Sequence, residues 1–110
     1  MNDLANKHCV PCEGNMPPLT KEEAEKLLQE LQGWNISQDG GSITKKFSFK
    51  DFSKTIQFVN DIAKVAEKEG HHPDLSVSYG SVVVELSTHA IGGLSENDFI
   101  LAAKLDTVRS

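Results

Sequence analysis

Three of the four histidines in this 110-residue chain are placed so that one hairpin brings them together. His71 and His72 are adjacent and precede Pro73, and His89 follows Thr88; the fourth, His8, stands near the N-terminus. Imidazole titrates near neutrality, so one ring can give up a proton while another accepts one. At this point three readings stay open. The cluster can be an acid/base site, a three-histidine metal centre of the kind that holds zinc with one open position, or unconnected surface histidines at strand ends. Adjacent side chains diverge, which makes a metal shared by His71 and His72 awkward.

The juxtaposition depends on a hairpin. Leu75, Val77 and Tyr79 alternate with Ser76 and Ser78, and Gly80-Ser81 suits a two-residue type II′ turn. That turn pairs Tyr79 with Val82, Val77 with Val84 and Leu75 with Leu86, all apolar and on one face. Extended outward, the same register sets Thr88 against Pro73 and His89 against His72. Directly opposed residues have Cβ atoms roughly 4.5–5.5 Å apart. Pro73 lacks an N–H, so the ladder frays there, but the chain ends still leave the hairpin as neighbours.

The other elements follow from spacing. Thr20 and Glu23 fit a capping box that opens a helix with an Ala24, Leu27, Leu28, Leu31 stripe, ending at Gly33. Asp39-Gly40 predicts a first hairpin that pairs Ile36 with Ile43 and Trp34 with Lys45, with Phe47 and Phe49 continuing the apolar face. Residues 51–69 read as a helix burying Phe52, Ile56, Val59, Ala63 and Ala66, with Phe58, Ile62 and Val65 beside them, stopped by Gly70 and Pro73. A last helix starts at Ser95, with Asp98 at the capping-box position. The order is α-β-β-α-β-β-α. That predicts an α+β fold, a four-stranded antiparallel sheet with three helices on one face.

Composition narrows the function. The chain has 11 basic and 16 acidic residues, net −5, and its only arginine is Arg109. Nucleic-acid backbones and bidentate phosphate recognition require clustered Lys and Arg, so neither partner is expected. No apolar run approaches membrane-spanning length, and no basic n-region followed by an apolar h-region opens the chain, so secretion is not expected. Residues 1–18 read as an irregular arm and 19–110 as one domain. Cys9 and Cys12 make a single Cys-x-x-Cys pair, too few for a disulfide framework or a four-cysteine zinc site, which suggests a reducing, cytoplasmic setting.

The stretch from Glu67 to Asp106 carries a more specific pattern. His71-His72-Pro73, Tyr79, Thr88-His89 and Gly93-Leu94-Ser95-Glu96-Asn97-Asp98 occur in that order. Upstream stand Gly33-Trp34 and the run Lys45, Phe47, Phe49, Asp51, Phe52. Over about residues 19–107 the chain resembles the pterin-4a-carbinolamine dehydratases, also called 4a-hydroxytetrahydrobiopterin dehydratases. The resemblance implies a hydro-lyase that removes water from a 4a-hydroxytetrahydropterin to give a quinonoid dihydropterin, in tetrahydropterin recycling. It implies no metal or organic cofactor, and association as a homodimer or homotetramer. It makes His71, His72 and His89 the catalytic residues. Substrate contacts then fall on Gly70, His71, His72, Ser87, Thr88, His89 and Ala90. Glu67, one turn before His71, is placed to orient an imidazole, and Asp98 is a supporting residue as well as a cap. Gly70 stands where some relatives carry an aspartate. The alternative reading is a non-catalytic dimerisation or partner-binding module of the same fold.

Overall fold

The computed structural model describes Leu4 and residues 17–108, with only the backbone of His89. The elements are α1 (Lys21–Leu28), β1 (Asn35–Ile36), β2 (Ile43–Ser48), α2 (Phe52–Glu69), β3 (Asp74–Ser78), β4 (Ser81–Leu86), a short 3₁₀ turn at His89–Ile91 and α3 (Glu96–Val108). The strands form one antiparallel sheet in the order β1-β2-β4-β3. This is the α+β fold that the sequence predicts, in the expected element order. His8, Cys9 and Cys12 lie outside the described residues, as does the expected arm apart from Leu4, Pro17 and Pro18. Leu4 is buried in the core.

Local chemistry sets the element ends. At α1 both arms of the capping box form: Glu23 N–H donates to Thr20 Oγ1 (3.1 Å), and Thr20 N–H donates to Glu23 Oε1 (2.9 Å). Asp51 caps α2 by accepting from Lys54 N–H (2.8 Å), and Gly70 ends it at φ 67°. The end of α1 departs from expectation. The helix stops at Leu28, and tighter bonds, Glu30 N–H to Leu27 O and Leu31 N–H to Leu28 O, carry the chain onward. Gly33 does adopt positive φ (83°), but in the connector to β1.

The core lies between the sheet and the helices. Ile43 and Phe47 of β2 and Val82, Val84 and Leu86 of β4 point inward beside Phe58, Ile62 and the apolar run of α3. The Phe47 and Phe58 ring centroids are 4.7 Å apart, and those of Phe49 and Phe58 are 5.1 Å apart. α3 buries Asn97 to Ala103 continuously and Leu105, so its first turn is inside the molecule. α2 is rotated relative to the predicted face. Its buried stripe is Thr55, Phe58, Ile62 and Ala66, while Phe52 is 50% exposed and Ala63 is also exposed. The turn after β3 meets this face: Thr55 Oγ1 lies 2.9 Å from both Asp51 O and Tyr79 O, and Phe52 stacks outside on Tyr79.

The first hairpin has the predicted register, Ile36 opposite Ile43. The ladder is two residues long, so Trp34 and Lys45 lie beyond it. Both nevertheless converge on Asp106: Trp34 Nε1–H donates to Oδ2 (3.1 Å) and Lys45 Nζ to Oδ1 (2.8 Å). Trp34 is thus a core residue tied to the end of α3.

The second hairpin is displaced from its predicted register. Ser78 pairs with Ser81, Val77 with Val82 and Leu75 with Val84, so Tyr79-Gly80 forms the loop. Contacts outside the hairpin fix this choice. Phe49 N–H donates to Gly80 O (2.7 Å), and Thr55 Oγ1 meets Tyr79 O. A Cβ on Gly80 would lie 3.0 Å from Phe49 O. The displacement moves each residue's partner by two positions, so every side chain keeps its face. It also cancels the predicted pairing of His89 with His72. The ladder ends at Asp74–Glu85, and Thr88 instead bridges Gly93.

Candidate active site

Two chain segments meet where α2 ends and α3 begins. Gly70 turns the chain out of α2 and delivers His71, whose N–H still donates to Ala66 O (3.2 Å). On the other side, β4 runs on through Ser87 to Thr88. The chain then makes the 3₁₀ turn at His89–Ile91, passes Gly92 at φ 70° and returns, Thr88 N–H donating to Gly93 O (2.7 Å). Ser95 and Asp98 open α3 directly after this loop.

Asp98 is the hub, fully buried (0% exposed). Its Oδ2 accepts from Thr88 Oγ1 (2.8 Å) and from Ser95 N–H (3.0 Å), the latter being the predicted capping arm. Its Oδ1 lies 2.6 Å from His71 Nε2. Thr88 Oγ1 also lies 2.7 Å from Ser95 Oγ. Thr88 has one hydroxyl proton, and it goes to the carboxylate, so Ser95 donates to Thr88. The proton directions are then set throughout. An ionised Asp98 only accepts, so His71 carries its proton on Nε2, and in the neutral ring Nδ1 holds the lone pair. The His71 side chain is 12% exposed, enough for one edge to reach solvent.

His72 points elsewhere. Its Nε2 lies 2.8 Å from Glu67 Oε2, and both side chains are largely exposed (62% and 77%). Glu67, one turn before His71, meets the ring of His72. The divergence of the two rings follows from their adjacency. Lys104 Nζ of α3 lies 3.8 Å from Glu69 Oε2, so the helix that carries Asp98 is also linked to the end of α2, from which His71 follows.

The structure therefore joins His71, Thr88 and Asp98 directly and brings His72 together with Glu67. Gly70 and the backbone of His89 and Ala90 stand at the ends of the two segments. Ser87 lies on the outward face of β4's continuation, partly buried. Ser95 is the member of the network that the sequence reading missed. Its cap position accounts for it locally, and the signal for more is the apolar run Phe99–Ala103. A helix buried all round must also bury its first turn, whose polar groups then need partners inside. Among the described residues, no three His, Cys, Asp or Glu side chains are gathered as a metal ion requires.

A four-stranded antiparallel sheet with packed helices and a carboxylate-anchored histidine just past the end of α2 is the class that these observations define. The model of one family, Pterin 4 alpha carbinolamine dehydratase, matches residues 17–108. The chain belongs to that family. It is 55% identical over 108 residues to a protein of Nitrosospira multiformis provisionally named pterin-4-alpha-carbinolamine dehydratase, covering 98% of this chain and 94% of that one. Among solved structures, it is similar to a transcriptional coactivator/pterin dehydratase from Brucella melitensis, with TM-score 0.80 and 36% identity over 84% of this chain and 99% of that chain. A pterin dehydratase-like protein described as a RuBisCO assembly factor of the alpha-carboxysome shares the fold, with TM-score 0.62 at 23% identity over 70% of this chain and 89% of that one.

Proposed function

We propose that this protein is a dehydratase that removes water from a 4a-hydroxytetrahydropterin by histidine acid/base catalysis, yielding the quinonoid dihydropterin for recycling. The C4a–O bond breaks as an imidazolium protonates the departing hydroxyl, which leaves as water. A ring N–H proton passes to a second base, and the electron pair forms the new double bond. His71, His72 and His89 are the catalytic residues in this reading. Gly70, Ser87, Thr88 and Ala90 supply substrate contacts, and Glu67 and Asp98 orient His72 and His71. The observation that carries the proposal is the short bond between His71 and the fully buried Asp98. It holds one imidazole with its free nitrogen turned from the carboxylate, as a general acid or base requires. Family membership supplies the substrate class. A reducing, cytoplasmic setting accords with the cysteine content.

The test is a spectrophotometric dehydration assay on 4a-hydroxytetrahydropterin generated in situ. The wild type is expected to accelerate water loss well above buffer, and His89→Ala to abolish most of that acceleration while keeping its fold. A wild type no faster than buffer rejects the proposal.

A second reading, a self-associating module that binds a partner protein, is favoured by one surface. β3 is an edge strand, and Val77 (43%), Tyr79 (69%) and Phe52 (50%) expose apolar side chains beside it. The same surface supports a homodimer or homotetramer, which the dehydratase reading also includes. The Brucella relative's title names a coactivator as well as a dehydratase. An inactive wild type that nonetheless associates selects this reading.

A further inference from the structure

The backbone of Ser95 serves the start of α3. Its N–H donates to Asp98 Oδ2 (3.0 Å), and its carbonyl accepts from Asp98 N–H (3.1 Å). The side chain reaches a different element. Ser95 Oγ lies 2.7 Å from Thr88 Oγ1, just past the end of β4. Thr88 Oγ1 in turn lies 2.8 Å from Asp98 Oδ2, whose other oxygen faces His71 Nε2 at 2.6 Å. Four side chains from three segments thus form one line from Ser95 to His71.

The approach to Ser95 is held from two sides. Gly93 O accepts from Thr88 N–H (2.7 Å), and Leu94 O accepts from Leu19 N–H (2.8 Å). Gly93 is packed so closely that a Cβ there would lie 2.8 Å from Pro18 Cβ. The Ser95–Thr88 contact is therefore built into the packing, and both residues are buried.

Proton bookkeeping gives that contact a consequence. Thr88 has one hydroxyl proton and two oxygen neighbours within bonding distance, Asp98 Oδ2 and Ser95 Oγ. If the proton turned to Ser95, the carboxylate would lose a donor at Oδ2. A Ser95 hydroxyl that donates to Thr88 forecloses that arrangement, and bonds aligned in one direction polarise one another. The two donors on Oδ2 then fix the plane of the carboxylate, and with it the direction in which Oδ1 faces His71.

We propose that Ser95 is a positioning residue for His71: through Thr88 it locks the Asp98 carboxylate, which keeps the imidazole proton on Nε2 and the lone pair on Nδ1. The inference rests on the dehydratase reading above and adds a residue to its machinery. Ser95 acts through Thr88 and Asp98 and exchanges no proton with the substrate.

The experiment compares wild type, Ser95→Ala, Ser95→Thr, Thr88→Val and the Ser95→Ala/Thr88→Val pair. Turnover of 4a-hydroxytetrahydropterin is one readout. The other is nitrogen NMR of the neutral His71 ring, whose signals are those lost in His71→Gln. Trp34 fluorescence checks that each variant is folded. Ser95→Ala keeps the backbone bonds at the start of α3 and removes the hydroxyl. It should lower kcat about fivefold, the worth of one neutral hydrogen bond, with KM near wild type. The ring nitrogens should move from a protonated Nε2 toward a mixture of tautomers. Ser95→Thr, which keeps the hydroxyl, should restore both readouts. In Thr88→Val the relay is already cut, so adding Ser95→Ala should cost less than about twofold more. Unmoved His71 signals in Ser95→Ala overturn the proposal. So does a Ser95→Thr enzyme as impaired as Ser95→Ala, or a full fivefold further loss in the Thr88→Val background. An inactive wild type rejects the dehydratase reading instead, and the His71 signals then decide separately whether Ser95 governs that ring.

Discussion

Replacing Thr88 by valine keeps the side chain's shape and removes one hydroxyl from the centre of the Asp98 network. Thr88 is 4% exposed, Ser95 8% and Asp98 0%, so water cannot readily take the hydroxyl's place. The substitution deletes a charge-assisted bond at 2.8 Å, worth about 1.5–3 kcal/mol. It also removes the 2.7 Å hydroxyl contact with Ser95, worth about 0.5–1.5 kcal/mol. The buried methyl returns about 0.8 kcal/mol. The net expectation is a loss of about 2.5 kcal/mol, a large share of the roughly 5–15 kcal/mol typical of a domain. Equilibrium urea unfolding reads it through the fluorescence of Trp34, the only tryptophan, which is buried. With a slope of about 1.5 kcal/mol per molar, the midpoint should fall by about 2 M. Thr88→Ser, which keeps the hydroxyl, should stay within about 1 kcal/mol of wild type. A loss below about 0.5 kcal/mol in Thr88→Val refutes the hydrogen-bond directions assigned around Asp98.

Other outcomes follow from the same geometry. Asp98→Asn should lower kcat by about 100-fold, because an amide no longer fixes the His71 proton on Nε2; steady-state kinetics checks this, and the loss should fall on kcat more than on KM. Glu67→Gln should change unfolding free energy by less than about 1 kcal/mol, since the His72–Glu67 contact is solvent-exposed on both sides. Acidification should weaken the start of α1. The Thr20 backbone N–H and side chain hold the Glu23 carboxyl below 4.5, so its contribution is present above the unfolded value and lost as pH falls through the lowered folded one. An NMR titration should therefore place Glu23 below 4.5, and Glu23→Ala should flatten that part of the acid limb.

Much of the fold was legible because the signals were local. Thr20 with Glu23, Ser95 with Asp98, and Gly70 mark helix ends through bonds made within one turn. Strand faces were legible because alternation survives a two-position shift in pairing. What escaped the sequence was decided at long range. The Tyr79-Gly80 turn is chosen by Phe49 and Thr55, far along the chain, and the same Thr55 lies on the face that α2 buries in place of its most apolar-looking one. α1 stops short of Gly33 because tighter turns take over after Leu28. At the candidate site, the sequence picked out His71, His72, Thr88, Glu67 and Asp98 as residues, but not their pairing of Glu67 with His72 and of Asp98 with His71. For Asp98 the local signal is ambiguous, because a capping role suffices to explain an aspartate at that position. Only three-dimensional packing reveals that one carboxylate caps α3 and anchors His71.

The account turns on His71 acting as a proton carrier rather than a packing residue. His71→Gln isolates that role: the amide can still donate to Asp98 while offering no titratable nitrogen. Turnover of 4a-hydroxytetrahydropterin should drop by about 100-fold or more, with the Trp34 unfolding midpoint close to wild type. Wild-type turnover in His71→Gln would contradict the account outright.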